Sequence, residues 1–479
     1  MKIALIHLIG FESDLSCVPL NMASLASYIR VYGGFKDIKI IGKDIINSIK
    51  NYKPDIVGIS VVSHQFSLAN KISGEIKKFT KIPLIIGGPH ISALPEQLKN
   101  SNFDMGVVGE GEQTFLEFLK YYQKSKNMDS ENLKKINGLV FKDKFGKIVI
   151  TKKRELIKDL DSLPFPALDI LEMKENYSVP GPIGDGLIGI RGYLMTSRGC
   201  PYNCVYCASN VVWERTVRWQ SAERVVNDIK IWVNRYGTNY FIVFDDIMMA
   251  NVERFKKIIY LLEKEGLTKK IKFALYARAN LINDEMCKLL KRINVDYLSF
   301  GLESGSERML KYLKKGTVTV EQGQKAVKLC NKYGFRVCGY FIVGSPGEKI
   351  EDLKETFKFL ESPYLNSATI FCATPLPGTE LWDYAIKNGM IKKDYYESSN
   401  RANCRKINEE AILSKDISKE ELEKWHALMT EKAKNKDSIK NKLHFDISMI
   451  KFFFYPRLYV KLWKKRKYVP YYIKRILRL

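Results

Sequence analysis

The chain has 479 residues, too many for a single hydrophobic core, so the sequence predicts two or three domains. Apolar residues make up 46% and charged residues 27%, which excludes wholesale disorder, collagen-like repeats and a multi-span membrane protein. The net charge of +25 favours partners that carry phosphate, such as nucleic acid or anionic lipid. Nine cysteines, an odd count, argue against a disulfide scaffold and favour a reduced, cytoplasmic protein. The run from Met1 to Ile9 is too short for the apolar region of a signal peptide, so none is expected.

Short runs rich in Val, Ile and Leu alternate with helical periods in residues 1–125. This alternation predicts a doubly wound, flavodoxin-like sheet of buried parallel strands. The predicted strands are Ile3–Ile9, Ile38–Ile41, Asp55–Val62, Ile82–Gly88 and Met105–Val108. Sheets of this kind bind ligands at the carboxyl ends of their strands. Two glycine-bearing turns, Gly87-Gly88 and Gly109-Glu110-Gly111, lie at those ends.

Residues 126–185 are predicted to form a connector, with a hairpin that turns at Asp143–Gly146 and a strap that contains prolines. Residues 186–400 alternate strand and helix again and predict a partial (β/α)6 barrel, whose chemistry lies at the C-terminal face of its strands. The six strands are Leu187–Thr196, Tyr240–Phe244, Ile271–Tyr276, Tyr297–Gly301, Val337–Val343 and Ala368–Ala373. Residues 401–479 are predicted to be a helical region that ends in a basic tail.

The most informative stretch is the C-x3-C-x2-C motif of Cys200, Cys204 and Cys207, which directly follows the first barrel strand. Three thiolates at this spacing can bind three irons of a [4Fe–4S] cluster and leave the fourth iron open. Structural zinc prefers four ligands, and the next cysteine along the chain is only Cys287. The first domain holds a single cysteine, Cys17, so we expect one cluster in the chain.

With its lead-in Thr196–Gly199 and the aromatic residue before its last cysteine, the motif resembles that of the radical S-adenosylmethionine (SAM) superfamily. The resemblance implies that the open iron chelates SAM, and that an electron from the cluster releases a 5′-deoxyadenosyl radical. It also implies that SAM contacts the loops at the strand ends of the barrel. The residues at those positions are Tyr206, Asp245, Asp246, Arg278, Glu303, Ser304, Gly344 and Pro377.

The first domain resembles the cobalamin-binding domain of cobalamin-dependent, class B radical SAM methyltransferases, through Pro54–Ser60, Ile85–His90 and Val108–Glu112. Together with the barrel, this resemblance covers roughly residues 1 to 400. It implies that cobalamin contacts Ser60, His64, Gly87, Gly88, Gly109, Glu110 and Gly111. The Asp-x-His-x-x-Gly motif that supplies the lower cobalt ligand in other cobalamin proteins is absent, so that ligand stays open, with His64 as one candidate.

The resemblance implies methylation of an unactivated carbon, in which the adenosyl radical abstracts a hydrogen atom and methylcobalamin delivers the methyl group. A radical cyclase or mutase acting on a lipid or porphyrin-like substrate is one alternative, and an RNA-modifying factor is another. The expected partners are a small-molecule or lipid substrate and reduced ferredoxin or flavodoxin as the electron donor.

The segment from Ile447 to Leu479 has ten Lys or Arg, no Asp or Glu, and nine aromatic residues. Cations among aromatic rings suit a bilayer interface, and the same mixture can stack RNA bases. A tail packed on the barrel is the third interpretation. We expect a cytoplasmic enzyme that binds the inner face of an anionic membrane peripherally through this tail, with nucleic acid as a weaker alternative.

Overall fold

A computed structural model describes residues 1–8, 18–171, 173, 178–180, 188–397, 404–405, 407 and 412–453. The described chain forms a seven-stranded α/β unit and a six-stranded α/β unit, which are joined by a strap and followed by a long helix. This arrangement confirms the predicted fold class.

The first unit is a doubly wound sheet with the strand order β2-β1-β3-β4-β5-β6-β7, in which the first five strands are parallel. Its strands are β1 (Ile3–His7), β2 (Ile38–Ile41), β3 (Ile56–Ser60), β4 (Leu84–Gly87), β5 (Met105–Val107), β6 (Leu139–Lys142) and β7 (Ile148–Ile150). Its helices are α1 (Leu20–Gly33), α2 (Ile45–Tyr52), α3 (Phe66–Lys77), α4 (Pro89–Ala93), α5 (Gly111–Ser125) and α6 (Ser130–Leu133).

Both faces of this sheet are covered by helices, which explains its unbroken apolar strands. Successive residues of β1 are fully buried on opposite faces of the sheet: Leu5 packs against α1 and α5, and Ile6 packs against α2 and α3. The predicted hairpin forms β6 and β7, and Gly146 donates its backbone N–H to the Asp143 carbonyl at the turn. Through β6, which pairs antiparallel with β5, the hairpin extends the sheet.

The strap connects α1 of the first unit to the barrel. The Ser27 hydroxyl on α1 donates to the Phe165 carbonyl at 2.6 Å, and the Phe165 ring packs edge-on against Trp232 at 6.4 Å. The Arg224 guanidinium donates to the Leu163 carbonyl. The two α/β units are therefore held against each other by a segment that belongs to neither sheet.

The second unit is a partial barrel of six parallel strands in sequential order. In chain order the remaining strands are β8 (Ser178–Pro180), β9 (Ile188–Ile190), β10 (Gly192–Leu194), β11 (Ser197–Arg198), β12 (Arg218–Trp219), β13 (Tyr240–Val243), β14 (Lys272–Ala277), β15 (Val295–Glu303), β16 (Arg336–Val343) and β17 (Ser367–Cys372). The barrel consists of β10 and β13 to β17, with β11 and β12 as a short hairpin at its mouth.

The remaining helices are α7 (Ser209–Trp213), α8 (Ala222–Tyr236), α9 (Val252–Lys264), α10 (Asp284–Arg292), α11 (Glu307–Lys314), α12 (Val320–Lys332), α13 (Ile350–Leu360), α14 (Glu380–Lys387) and α15 (Lys419–Phe453).

One strand prediction was wrong in extent. The run from Leu187 to Thr196 is not a single barrel strand, because its first part, β9, pairs antiparallel with the nearby β8. Only β10 joins the barrel, where it pairs with β13.

Helix α15 packs along β17, the last strand of the barrel, and buries Leu422 and Met429. The His426 ring forms a hydrogen bond with the backbone of Ile370, and the Cys372 amide donates to the Cys404 carbonyl at 2.7 Å. No helix in the described part of the chain is long and apolar enough to cross a membrane. Residues 454–479, which hold most of the basic tail, lie outside the described residues, as does Cys17.

Candidate active site

The three cysteines of the motif lie on one loop at the mouth of the barrel, and all are free, partly exposed thiols. Gly199 precedes them with a positive φ of 97°, and a Cβ there would collide with the Thr216 carbonyl oxygen, so the loop requires glycine. Burial raises the pKa of Cys207 to about 12, so cationic iron is needed to favour its thiolate. Among the described residues no three His, Cys, Asp or Glu side chains, the motif cysteines included, form a group that could hold a single metal ion. Three thiols without a fourth ligand suit a cluster with one open iron.

Arg278 lies directly against this loop. Its Nη1 is 3.8 Å from Cys204 Sγ, and its guanidinium carbon is 3.5 Å from the centre of the Tyr202 ring. The second amino group donates to the Thr317 hydroxyl, and the buried Nε has no partner. The sequence predicted that Arg278 contacts SAM. The structure places one of its amino groups against Cys204, a cysteine of the motif.

Tyr206 and Glu303 meet at the mouth, as two residues expected to contact SAM. The Tyr206 hydroxyl donates to Glu303 Oε1 at 2.6 Å, and Lys314 Nζ lies 3.1 Å from the same oxygen. Burial, followed by the neighbouring Glu303 charge, raises the pKa of Tyr206, which keeps its hydroxyl a donor. Glu303 has a φ of +62° just after an irregularity in β15, a conformation that costs a non-glycine residue about 1–3 kcal/mol. Strain of this kind is found where a side chain must point to a defined place.

Two of the other residues predicted to contact SAM, Asp245 and Ser304, form hydrogen bonds within the protein. Asp245 is buried and accepts hydrogen bonds from the Thr196 amide at 2.5 Å and from the Ser197 hydroxyl at 2.7 Å, so it fixes the lead-in to the cysteine loop. Ser304 is fully buried, and its hydroxyl lies 3.1 Å from that of Thr356 on α13. Neither side chain is open to SAM in this structure. Asp246, by contrast, is exposed beside the Ser209 hydroxyl, which donates to it at 2.8 Å.

Gly344 and Pro377, two further predicted SAM contacts, are buried in the loops that follow β16 and β17. Gly344 is buried, and a Cβ on it would lie 3.0 Å from the side chain of Leu422 on α15. Pro377 is buried next to Gly378, where a Cβ would press into Val211 of α7. Both residues shape loops that neighbouring helices cover.

A cavity of about 430 Å³ lies between the strand ends of the first sheet, the strap and the barrel. Of the seven residues predicted to bind cobalamin, six line it, and His64 is not among the lining residues. The six are Ser60, Gly87, Gly88, Gly109, Glu110 and Gly111. Apolar side chains of the first sheet and α5 line the same cavity, among them Ile59, Ile85, Val107 and Phe115. From the other side the lining includes strap and barrel residues Pro164, Phe165, Tyr193 and Met195.

The glycines of this cavity fit the close approach of a bulky ligand. A Cβ on Gly87 or Gly109 would meet no atom within 4 Å, so any side chain there would occupy open space. Gly88 has a φ of +95°, and its Cβ would lie 2.7 Å from the Val61 carbonyl oxygen, so that position requires glycine. The cavity is of the size that takes a cofactor or part of one. The residues present therefore fit part of a corrinoid that enters at the strand ends.

Two arginines that the sequence did not single out join this cavity to the cysteine loop. Arg198 donates to Glu110 at 2.5 Å and to Glu112 at 2.6 Å, and Arg218 donates to Glu110 at 2.8 Å. We call these four buried residues the interdomain clamp. The Ile157 amide of the connector also donates to Glu110 at 2.7 Å, and the Trp213 ring lies within 6 Å of both guanidinium groups.

The ion pairs of the clamp act directly on the cysteine loop, because Arg198 stands two positions before Cys200 in the chain. Burial alone would raise the pKa of Glu112, but the charge and hydrogen bond of Arg198 hold it below its usual range. Glu110 was predicted to bind cobalamin; it lines the cavity, but its carboxylate is used by the clamp. The sequence signal for the clamp was the pair of glutamates in Gly109–Glu112 together with the arginine before the motif.

Two family models match the chain. A B12-binding domain model matches residues 6–119, and a radical SAM superfamily model matches residues 194–360. The chain is 34% identical over 385 residues to an uncharacterized methyltransferase of Pyrococcus horikoshii, with 78% of this chain and 79% of that protein covered. It is 27% identical over 386 residues to the cytidylyl-2-hydroxyethylphosphonate methyltransferase of Streptomyces wedmorensis, with 73% and 70% covered.

Not all similar proteins are methyltransferases by name. The chain is 27% identical over 389 residues to the anaerobic magnesium-protoporphyrin IX monomethyl ester cyclase of Rubrivivax gelatinosus, with 78% of this chain and 68% of that one covered. Among solved structures, the radical SAM methyltransferase TsrM of Kitasatospora setae, with cobalamin and a [4Fe–4S] cluster bound, matches with a TM-score of 0.64. That match is 16% identical and covers 80% of this chain and 76% of the other, so it concerns the fold.

Proposed function

Since the chain belongs to the radical SAM superfamily, in the branch that carries a B12-binding domain, we propose that it methylates an unactivated carbon. Its cofactors are a [4Fe–4S] cluster, SAM and cobalamin. Methyl transfer is supported by the relatives named as methyltransferases, one of which is 34% identical to the chain. When bound, the cluster and SAM supply a carbon-centred radical, and cobalamin supplies the methyl group.

The observation that carries the proposal is that the strand-end cavity and the cysteine loop are parts of one site. The cavity is lined by both α/β units, and Arg198 ties the Glu110 turn of one unit to the cysteine loop of the other. A methyltransferase that uses both cofactors needs them at a fixed separation, since misplacement by about 1 Å can cost a hundredfold in rate. The buried clamp supplies that rigidity.

Individual residues have defined roles in this proposal. Cys200, Cys204 and Cys207 would hold the cluster. Glu303, placed by Tyr206 and Lys314, presents a carboxylate at the mouth that suits a cationic group such as the amino group of SAM. The strap lines the cavity with the apolar residues Pro164 and Phe165, which would help to keep water from the reacting groups.

The test uses cluster- and cobalamin-loaded protein under anaerobic conditions, with a chemical reductant, SAM carrying a deuterated methyl group, and a metabolite extract from a strain that lacks this protein. We expect a product that carries the labelled methyl group, together with both S-adenosylhomocysteine and 5′-deoxyadenosine. Failure of the protein to take up hydroxocobalamin, or a product that carries no labelled methyl group, would contradict the proposal.

A radical cyclase is the second candidate, and the similarity to the protoporphyrin ester cyclase favours it. The same experiment separates the two candidates, because a cyclase forms 5′-deoxyadenosine without S-adenosylhomocysteine and leaves its product unlabelled. In either case we infer a cytoplasmic place of action and reduction by ferredoxin or flavodoxin. Peripheral membrane binding by the basic tail stays a prediction.

A further inference from the structure

The inner wall of the barrel is an open surface, which is unusual for a barrel filled by its own side chains. The strand register assigns every second residue to this wall, because Ile242 pairs with Ala274 and Tyr276 pairs with Ser299. Helix-facing residues such as Leu275, Phe300 and Phe341 are fully buried. Several of the inward residues are partly exposed, so a space remains inside the barrel. The partly exposed inward residues include Ala274, Tyr276, Tyr340, Thr369 and Phe371.

Five aromatic rings form a continuous row along this wall. The row begins at Tyr193, which also lines the strand-end cavity, and continues through Phe244, Tyr276 and Tyr340 to Phe371. Successive ring centres are 5.7, 6.5, 6.4 and 5.6 Å apart. The first pair is nearly parallel, at 8°, and the last is edge-to-face, at 76°. The rings therefore turn with the barrel and lead from the cavity into the interior.

The middle of the row is accessible to a ligand. Phe244 is 37% exposed, although it lies at a strand end and stacks on two neighbouring rings. Met195, which lines the cavity, is 43% exposed. Phe244 and Met195 are thus large apolar side chains that are exposed to water beside the cofactor cavity. Neighbouring exposed apolar side chains indicate a surface that a ligand covers.

The charged residues of this wall lie at the ends of its strands, with Asp246, Arg278 and Glu303 at the mouth. Its polar groups are hydroxyls that pair with each other, since the Tyr340 hydroxyl donates to Ser299 at 3.3 Å. Its other basic residues, Lys272 and Arg336, are the first residues of β14 and β16, four positions before Tyr276 and Tyr340. Arg336 is in addition ion-paired with Asp296. At about 3.3 Å per residue, these charges lie a strand's depth below the row.

We propose that this row of rings binds the substrate, and that the substrate presents an uncharged, flat aromatic ring system to it. An aromatic ligand gains both buried area and ring-on-ring contact from such a wall, whereas a saturated chain gains only the area. The proposal deepens the proposed function and rests on it, because the ring system would lie between the cofactor cavity and the barrel interior. It replaces a lipid chain as the expected occupant.

The test compares two probes that share one carbon skeleton, 2-naphthol and decahydro-2-naphthol, by equilibrium dialysis against the cluster- and cobalamin-loaded protein. We expect the aromatic alcohol to bind at least tenfold more tightly than the saturated one. In Phe244→Leu and Tyr276→Leu this preference should fall to about threefold or less. Tyr260→Leu is the matched control, because that ring is 59% exposed on α9 and outside the barrel, and it should keep the full preference.

Three results would overturn the proposal: equal binding of the two probes, binding of neither at millimolar concentration, or a preference that both barrel variants retain. Circular dichroism of each variant shows whether it is folded, and the wild-type preference is decisive on its own if a variant is not. A protein that takes up cobalamin and transfers labelled methyl groups but fails to prefer the aromatic probe would contradict only this inference. Loss of cobalamin uptake would contradict the proposed function instead.

Discussion

Replacing Glu110 by Gln should loosen the interdomain clamp while keeping the shape of the side chain. Glu110 is 8% exposed and receives Arg198 at 2.5 Å, Arg218 at 2.8 Å and the Ile157 amide at 2.7 Å. Removing one partner of a buried ion pair costs about 3–5 kcal/mol, because the opposite charge is left uncompensated. Glu112 still pairs with Arg198, so we expect the lower end, about 3 kcal/mol.

The control is Glu117→Gln, which removes the charge of an ion pair with Arg154 whose carboxylate is half exposed. An exposed pair contributes about 0–1 kcal/mol, so this variant should unfold close to the wild-type midpoint. Urea unfolding followed by tryptophan fluorescence suits the measurement, because the Trp213 ring lies within 6 Å of both arginines of the clamp. If Glu110→Gln shifts the midpoint no more than Glu117→Gln does, the clamp does not stabilise the interface and the reasoning is refuted.

Four further predictions concern the cofactors and the pH dependence. Anaerobic reconstitution should load about four irons per chain, and replacing all three motif cysteines by alanine should abolish this; a full cluster in that variant would contradict the assignment. Gly87→Leu should block uptake of hydroxocobalamin by filling the cavity, whereas Gly34→Ala, at a helix end far from the cavity, should not, as absorbance after gel filtration will show. Arg278→Met removes a positive charge beside Cys204 and should lower the cluster's reduction potential by about 59 mV, which is a tenfold change in the equilibrium of a one-electron reduction. An EPR-monitored titration measures this potential, and an unchanged value would rule out the contact with Cys204. Burial lowers the pKa of His90 from 6.5 to about 4, so between these pH values the unfolded state binds more protons than the folded state. The free energy of unfolding should therefore fall by up to about 3 kcal/mol as the pH drops from 6.5 to 4. His90→Phe should flatten this dependence, as urea titrations at each pH will show.

The sequence predicted the fold well because buried parallel strands leave a local signal. β2 was predicted with its observed bounds, and the other four parallel strands of the first sheet to within about two residues at each end. The barrel strand at Leu187–Thr196 was overextended, since nothing local shows that its first half pairs with β8. The local sequence predicts that a segment forms a strand, but it does not predict which other strand that segment pairs with.

The cofactor-binding residues were harder to predict than the strands, because a strand-end position does not show what its side chain contacts. Asp245 and Ser304 have suitable positions and side chains, yet both are used by the fold. Arg218 meets Glu110 from 108 positions away, a contact that no spacing rule reveals. What the sequence could show was where glycines allow a ligand to approach, as at Gly87 and Gly109.

The C-terminal helix has a consequence for biogenesis. A barrel of six strands does not close, so β17 keeps an edge that could template pairing with another chain. His426 and the carbonyl of Cys404 occupy backbone groups on that edge, and both are translated after the strand they cover. During synthesis the edge can therefore pair with other chains until the helix has left the ribosome and covers it. A chain shortened before Lys419 should aggregate and be recovered in inclusion bodies.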